Sequence, residues 1–218
     1  MSEIAQIDAP GRRDRQRDAT RAAILTGALA LFSRRGFEGT TLPAVAQRCG
    51  VAVPLIVYHF QSKDGLWRAC VEAVYARIAG HLAGFAPALA EAEGPAWFRL
   101  QIRAFVTALA AHPEYMRIVF HEGMEASPRL EWLVAGHQGR ITAHIVGIVD
   151  AAQAAGYLPA MDATHAKFVL SGAFALPIVL AAEYTLIDGT DALSDAFIER
   201  HVDTTIALIL PGLNSTGH

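Results

Sequence analysis

The sequence has few of the features that mark exported, disulfide-rich or membrane proteins. Its 218 residues include two cysteines, Cys49 and Cys70, in no disulfide or metal-binding pattern. The N-terminal segment lacks the apolar core of a signal peptide. The longest uncharged run, residues 168–182, is shorter than the roughly 20 apolar residues that span a bilayer, and it contains Pro177. We therefore expect a soluble, cytoplasmic protein with reduced thiols and no membrane partner.

Signatures of catalytic sites are also absent from the sequence. It contains no H-E-x-x-H, E-x-x-H or G-x-S-x-G motif, so zinc-protease, di-iron and α/β-hydrolase chemistry have no local support. His121, Glu122 and Glu125 are conceivable metal ligands, because residues 121 and 125 share a helix face. A metal site needs three or four convergent ligands, and a surface or cavity role is the simpler interpretation of His121. The sequence thus predicts no enzyme, no catalytic residues, no cofactor and no bound metal.

Charge is distributed unevenly along the chain. Residues 1–70 carry ten Lys/Arg and six Asp/Glu, a net charge of +4; residues 71–218 carry eight and fifteen, a net charge of −7, which gives the overall −3. The hydrophobic fraction of 53% points to a large core, a cavity or a subunit interface. The basic residues of the N-terminal part cluster at Arg12, Arg13, Arg15, Arg17 and Arg21. A basic head on an acidic body predicts that only the head meets a polyanion.

The N-terminal part is predicted to fold as three short helices. From Thr20 to Gly36, apolar residues follow the 3.6-residue period of an amphipathic helix: Ile24, Leu25, Ala28, Leu29, Leu31 and Phe32. Thr40 and Thr41 are both suitable N-caps for a second helix, which Gly50 ends. A third helix is expected over residues 54–60. Two short helices joined by a tight glycine-containing turn form a helix-turn-helix, a unit that places its second helix in the DNA major groove.

The segment spanning residues 20–66 carries four spaced motifs in order and without gaps. They are T-R-x-x-I-L, L-F-x-x-x-G-F-x-x-T-T, A-x-x-x-G-V and an aromatic-rich ending before S-K, within TRAAILTGALALFSRRGFEGTTLPAVAQRCGVAVPLIVYHFQSKDGL. The segment resembles the N-terminal domain of TetR-family transcriptional regulators. The resemblance implies an all-α homodimer with a three-helix DNA-binding domain and a larger, ligand-responsive C-terminal bundle. We expect a basic, flexible arm at residues 1–17, the DNA-binding domain at 18–63, and the ligand-binding and dimerisation domain at 64–218.

The resemblance assigns a set of phosphate contacts residue by residue. The family's phosphate-binding threonine at the start of the second helix matches Thr41, with Thr40 beside it. Its aromatic–histidine pair, and the lysine that follows the third helix, match Tyr58, His59 and Lys63. A hydroxyl, an imidazole and an ammonium group can each bind phosphate oxygens without reading the base sequence. These residues are therefore expected to fix the position of the protein on double-stranded DNA.

The positions that face the groove in this family carry apolar side chains here: Leu42, Val53, Pro54, Leu55 and Val57. Many relatives have a polar residue, a glycine or a tyrosine at several of these positions. Apolar groups can contact thymine methyls but cannot form bidentate hydrogen bonds to guanine or adenine, so thymine methyls and groove shape should supply the sequence preference. Alternatively, Leu55 and Val57 turn inward, leaving Val53 and Pro54 to contact DNA. The arm, with Arg12 and Arg13, is expected to enter an adjacent minor groove.

The rest of the chain is predicted to form longer helices without strand-like alternation. A connecting helix runs from Asp64 to about Leu82, and further helices follow at 95–111, 113–125, 128–155, 162–187 and 193–210. The last two are apolar around most of their circumference, which is unusual for a surface helix. By the resemblance, they pair with their copies in a four-helix dimer interface, in which we place Phe174, Ala175, Ile178 and Ile206. Twofold symmetry would present two recognition helices to a palindromic operator.

An effector cavity is expected inside the C-terminal bundle, where the ligand sites of the family lie. The candidate apolar residues are Phe98, Ile102 and Phe105 on one helix and Met116, Phe120 and Met124 on the next. The candidate polar partners on a third helix are His137, Arg140 and His144. Such a set suits a small, largely apolar effector, although core packing explains each apolar member equally well. We therefore predict a ligand-responsive repressor; a non-DNA-binding adaptor or a helical-bundle enzyme that reuses the fold is the alternative.

Overall fold

The computed structural model describes residues 11–209, and within them the chain is helical, with no β-strand. The all-α prediction is confirmed. The chain folds into two compact units, Met1–Ala73 and Val74–His218, so the division falls after residue 73 rather than after residue 63. The reason is that Leu66, Trp67 and Cys70 are buried in the first unit. Trp67, for example, packs edge-on against Phe37, with ring centres 6.2 Å apart.

The first unit contains α1 (Arg12–Arg35), α2 (Leu42–Cys49), α3 (Val53–Phe60) and the beginning of α4 (Lys63–Ala83). α1 begins well before the predicted start at Thr20, so residues 12–17 of the predicted arm are helical. Apolar periodicity reports packing against a core, whereas arginine and glutamine favour helix without it. Arg17 also lies 3.6 Å from Asp14, one turn earlier on the same helix. Residues 1–10 of the predicted arm lie outside the described residues.

The helix-turn-helix depends on close packing and on defined helix ends. A Cβ atom at position 27 of α1 would lie 2.3 Å from Cys49 Sγ of α2, so glycine permits the approach of the two helices. The Thr41 hydroxyl oxygen accepts a hydrogen bond from the Ala44 N–H at 3.3 Å, and Gly50 ends α2 in the left-handed conformation, with φ of 66°. Both predicted helix ends are confirmed. The core beneath them includes Ile24, Phe32, Val45, Ile56 and Phe60.

The second unit continues α4 and adds α5 (Ala86–Glu91), α6 (Gly94–Ala111), α7 (Glu114–Gly123), α8 (Pro128–Leu133), α9 (Gly139–Ala154), α10 (Ala163–Val179), α11 (Ala181–Asp188) and α12 (Asp195–Ile209). The sequence did not predict α5, which is short and has no buried residue. A π-helical turn, Val134–Gln138, interrupts the predicted helix 128–155. Its bond joins the Gly139 N–H to the Val134 carbonyl oxygen. A Cβ atom at position 139 would lie 2.8 Å from that oxygen, so glycine accommodates the turn.

The prediction of one continuous helix over residues 162–187 is wrong. α10 and α11 are separate helices, bent by 70° at the break between them. Pro177 has no N–H to donate to the carbonyl one turn earlier, and its ring crowds that group. α10 continues past Pro177 to Val179, and His201 of α12 lies beside this last part of the helix, with its Nε2 atom 3.3 Å from the Phe174 carbonyl oxygen. Among the described residues, no single helix is long and apolar enough to cross a membrane; the bent pair α10–α11 meets those criteria only when both helices are counted together.

Candidate DNA-binding surface and effector cavity

α3 has one buried face and one exposed face. Ile56 and Phe60 are buried in the core of the first unit, whereas Leu55 is 36% exposed and Val57 is 41% exposed. The alternative in which Leu55 and Val57 turn inward is therefore wrong. Tyr58 is more exposed still, at 71%. The other residues predicted to face the groove are exposed or half-buried: Leu42, Val53 and Pro54.

The N-terminal turns of α1 form a groove with the exposed end of α3. The groove is lined by Arg13, Asp14, Gln16, Arg17, Thr20, Leu55, Tyr58 and His59. The Tyr58 and His59 rings lie 5.1 Å apart, and both Arg12 and Arg13 are exposed. Folding thus brings the arginine cluster to the same surface as the aromatic–histidine pair, although the two are far apart in sequence. Guanidinium, hydroxyl and imidazole groups are the donors that bind DNA phosphates.

The two threonines before α2 have different roles. Thr40 is 1% exposed, and its hydroxyl donates a hydrogen bond to the Gly36 carbonyl oxygen at 2.8 Å. The prediction that Thr40 contacts phosphate is therefore wrong, because this side chain closes the turn between α1 and α2. Thr41 is exposed at the N-terminus of α2, where free N–H groups favour an anion. Lys63 is half-buried, with Nζ 4.1 Å from the centre of the Phe37 ring.

This arrangement of helices and exposed groups defines a DNA-binding transcriptional regulator of the helix-turn-helix class. Residues 24–70 match the family model "Bacterial regulatory proteins, tetR family", which supports a TetR-family transcriptional regulator.

Named relatives agree with this assignment. The chain is 24% identical over 211 residues to the HTH-type transcriptional regulator RutR of Escherichia coli (strain K12), covering 95% of this chain and 96% of RutR. It is 28% identical over 167 residues to the HTH-type transcriptional repressor NicS of Pseudomonas putida, covering 74% and 76%. The structure of FadR from Bacillus subtilis in complex with stearoyl-CoA matches with a TM-score of 0.60 and 14% identity, covering 90% of this chain and 99% of FadR. At that identity the likeness shows the fold alone.

The second unit contains a partly open cavity of about 620 Å³, a size that suits a small molecule. Helices α6 to α10 and the π-helical turn contribute to its wall. The wall is mostly apolar and includes Phe105, Leu109, Met116, Val119, Phe120, Met124, Leu133, Ile141, Ile145 and Phe174. Its polar members are Tyr115, Gln138, Lys167 and Ser171. A largely apolar cavity with a few polar groups is the arrangement expected of an effector site.

The predicted apolar ligand contacts divide between two spaces. Phe105, Met116, Phe120 and Met124 line the 620 Å³ cavity. Phe98 and Ile102 instead line a separate void of about 40 Å³, which has room for little more than water. Phe98 and Ile102 therefore do not line the larger cavity, and their contact with an effector stays a prediction.

The three polar residues predicted to serve the cavity lie elsewhere. Arg140 and His144 are exposed. The His137 ring stacks on Tyr75 with ring centres 4.4 Å apart, and a guanidinium nitrogen of Arg140 lies 3.1 Å from its Nδ1 atom. The prediction of ligand contacts for these three residues is wrong. Leu133, Val134, Gln138, Ile141 and Ile145 line the cavity at helical spacing, so α9 presents Ile141 rather than Arg140 to it.

Gln138, at the end of the π-helical turn, links the cavity wall to α4. Its Oε1 atom accepts hydrogen bonds from the hydroxyls of Tyr75 and Tyr115, each at 2.9 Å. Burial raises the pKa of both tyrosines, that of Tyr115 to about 12, so both are neutral donors near pH 7. Gln138 and Tyr115 line the cavity, whereas Tyr75 belongs to α4. Sequence periodicity did not reveal this cluster, because its members come from three separate elements.

Sequence reasoning also missed Lys167. A single lysine in an apolar helix is usually solvent-facing, but Lys167 is 6% exposed and forms part of the cavity wall.

His121, Glu122 and Glu125, the residues considered as metal ligands, do not form a shared site. His121 and Glu125 are exposed, and Glu122 is buried and forms an ion pair with Arg129 at 3.1 Å. Within the part of the chain that the structure describes, no three His, Cys, Asp or Glu side chains converge as metal ligands.

The prediction that Phe174, Ala175, Ile178 and Ile206 form the dimer interface is wrong. Phe174 is 6% exposed, and Ala175, Ile178 and Ile206 are fully buried within the single chain. These side chains lie on the inward faces of α10 and α12 and form part of the core. The exposed apolar residues of α10, α11 and α12 lie at other positions: Phe168, Val169, Leu176, Leu180, Leu186, Ile187 and Leu208.

Proposed function

We propose that the protein is a homodimeric repressor that binds a palindromic operator and releases it when a small, largely apolar effector enters the 620 Å³ cavity. The observation that carries the proposal is the pairing of an exposed recognition helix in one unit with a mostly apolar cavity in the other. α4 is continuous from Lys63 to Ala83 and so connects the two units covalently as one helix. The name of NicS, a repressor, and the stearoyl-CoA bound to FadR support the two halves of the proposal.

The exposed apolar surface of α10–α12 supports a dimer. Leu186 is 88% exposed, Ile187 is 80% exposed and Leu208 is 76% exposed. Exposed apolar side chains of this size are typical of an interaction site where they form a contiguous patch. Association of two copies through these helices would bury them. Twofold symmetry would then present two α3 helices to the half-sites of a palindrome.

The groove between α1 and α3 leads to a test of DNA binding. Operator fragments are selected from the genomic DNA of the source organism with the purified protein, and their affinity is measured by fluorescence anisotropy between about 50 and 200 mM salt. Arg13 and Arg17 both line the groove. We expect the double variant Arg13→Ala/Arg17→Ala to reduce the slope of log Kd against log salt by about two units, roughly one for each phosphate contact.

Arg117→Ala is the matched control, because Arg117 is a half-buried arginine of α7 in the second unit. For Arg117→Ala, the slope of log Kd against log salt should equal that of the wild type. An unchanged slope in the double variant would show that α1 does not contact phosphates. Failure to select any DNA fragment would favour a non-DNA-binding adaptor.

The Gln138 cluster leads to a test of switching. An effector is first found by screening aromatic and lipophilic acids for thermal stabilisation and then for release of the operator. Tyr75→Phe removes one hydrogen bond to Gln138 and keeps the ring that packs on Tyr115. Because one such bond contributes about 1 kcal/mol, we expect the ratio of operator Kd with and without effector to fall about fivefold.

Tyr157→Phe serves as the control, since Tyr157 packs on Phe98 and not on the cavity wall. It should leave the ratio unchanged. Equal ratios for Tyr75→Phe and the wild type would mean that the effector acts by a route that does not include this cluster.

A further inference from the structure

Lys167 is a buried cation whose role the fold itself does not explain. It lies on α10 with 6% of its surface exposed and forms part of the wall of the 620 Å³ cavity. Its Nζ atom lies 4.1 Å from the centre of the Phe168 ring. Among residues 11–209, no carboxylate forms an ion pair with it. Burial lowers the pKa of Lys167, and no neighbouring charge contributes to that shift.

The Lys167 ammonium is partly desolvated in this position, and a ring contact replaces only part of the hydration that it loses. An apolar residue of similar length would fit the same wall without this penalty. A ligand that brings a negative charge to the cavity would supply the missing partner.

We propose that the cavity binds an apolar monoanion, such as a lipophilic carboxylic acid, with its anionic group held by the Lys167 ammonium. The hydrocarbon part would lie against side chains such as Phe105, Met116 and Phe120, which line the same cavity. This inference rests on the proposed function in taking the cavity as the effector site. It adds the charge of the effector and the residue that selects it.

The other polar groups of the wall fit a single carboxylate. Ser171 follows Lys167 by one helical turn and also lines the cavity, so its hydroxyl can donate to the same anion. Tyr115 is the other titratable residue that lines this cavity, and its pKa of about 12 keeps it neutral. Glu122 of α7 is buried but forms its ion pair with Arg129. A second anionic group on the ligand would therefore meet apolar side chains, and a cationic ligand would be repelled by Lys167.

The chain has two lysines, Lys63 and Lys167, which makes a direct spectroscopic test possible. Reductive methylation with ¹³C-formaldehyde retains the positive charge and gives each lysine its own NMR signal; Lys167→Met assigns the two. The probes are decanoate, decan-1-ol and decylammonium, which share a chain and differ in charge. Decanoate should shift the Lys167 signal and raise the pKa of Lys167, because an adjacent anion favours the charged form. The Lys63 signal should not move.

Affinity provides the second measurement, by isothermal titration calorimetry with the full-length protein and no DNA. Decanoate should bind wild type at least about tenfold more tightly than decan-1-ol, since a charge-assisted hydrogen bond contributes roughly 1.5–3 kcal/mol. Decylammonium should bind most weakly. Lys167→Met should lose this preference while keeping its affinity for decan-1-ol within about threefold. Lys167→Arg should retain the preference, because it keeps the charge.

The possible results distinguish the assignment of Lys167 as the anion-binding residue from the proposal that cavity ligands release the operator. Equal affinity for decanoate and decan-1-ol, or an unshifted Lys167 signal at saturation, would overturn the assignment of Lys167 even if another compound releases the operator. Decanoate that binds through Lys167 while the operator complex persists would support the assignment and contradict release by cavity ligands. Lys167→Arg also removes the Lys167 signal and can assign the two lysines, so the NMR result holds even if Lys167→Met folds poorly.

Discussion

Leu208→Glu is expected to convert a dimer into a folded monomer and to lower operator affinity on the order of 100-fold or more. Leu208 is 76% exposed on α12, so the substitution costs nothing in the core of the single chain. In a symmetric dimer, each substitution occurs twice and buries two unpaired carboxylates in the interface. A monomer has one recognition helix for two half-sites and loses the gain from simultaneous binding. Light scattering at micromolar concentration measures the oligomeric state, circular dichroism measures the folding, and operator titration measures the affinity.

Two control substitutions test whether the effect of Leu208→Glu is specific to the exposed face of α12. Ile206→Asp changes a residue of the same helix that is fully buried, so it should unfold the second unit, with loss of helical circular dichroism. Met161→Glu places the same charge at a 43% exposed apolar residue outside the helices, and it should remain dimeric. If the Leu208→Glu protein stays dimeric and binds the operator normally, the exposed face of α10–α12 is not the dimer interface.

Val57→Glu is expected to weaken operator binding on the order of 100-fold while the dimer and the cavity stay intact. Val57 is 41% exposed on the outer face of α3, where the proposal places the floor of the major groove. A carboxylate there would face DNA phosphates and bases without a partner, and a like-charge contact of this kind costs several kcal/mol, on the order of 100-fold in Kd. Anisotropy titration with the selected operator gives the affinity, and light scattering checks the dimer.

Val57→Thr is the matched control for this position. Threonine has nearly the shape of valine and keeps one methyl group that can contact thymine. We expect its operator affinity to stay within about threefold of the wild type, a difference below 1 kcal/mol. If Val57→Glu also binds within that range, α3 does not enter the groove as proposed.

The N-terminal unit could be predicted largely from local signals. The cap at Thr41 and the glycine at Gly50 each act within a few residues, so they set the ends of α2 wherever the unit packs. The alternation of buried Ile56 and Phe60 with exposed Val57 follows from the helical period. Two errors remained there. The sequence could not distinguish the buried Thr40 from the exposed Thr41, and it gave no sign that the arginine cluster is helical.

The second unit was harder to predict because its helices are apolar on more than one face. Apolar periodicity then identifies a helix without giving its rotation. Ile206 and Leu208 are both aliphatic residues of α12, and yet the first is fully buried and the second is 76% exposed. In the same way, the helical period did not show which polar residues face the cavity: Gln138 lies in its wall, whereas Arg140 and His144 are exposed.

The sequence by itself determined the all-α class, the helix-turn-helix and the apolar character of the exposed face of α3. These properties depend on contacts between residues that are close along the chain, and such contacts survive in a short sequence window. The tertiary structure alone decided the position of the cavity and the burial of Lys167. They depend on how α6, α7, α9 and α10 pack together, and the free energy of that packing is shared among residues far apart in sequence.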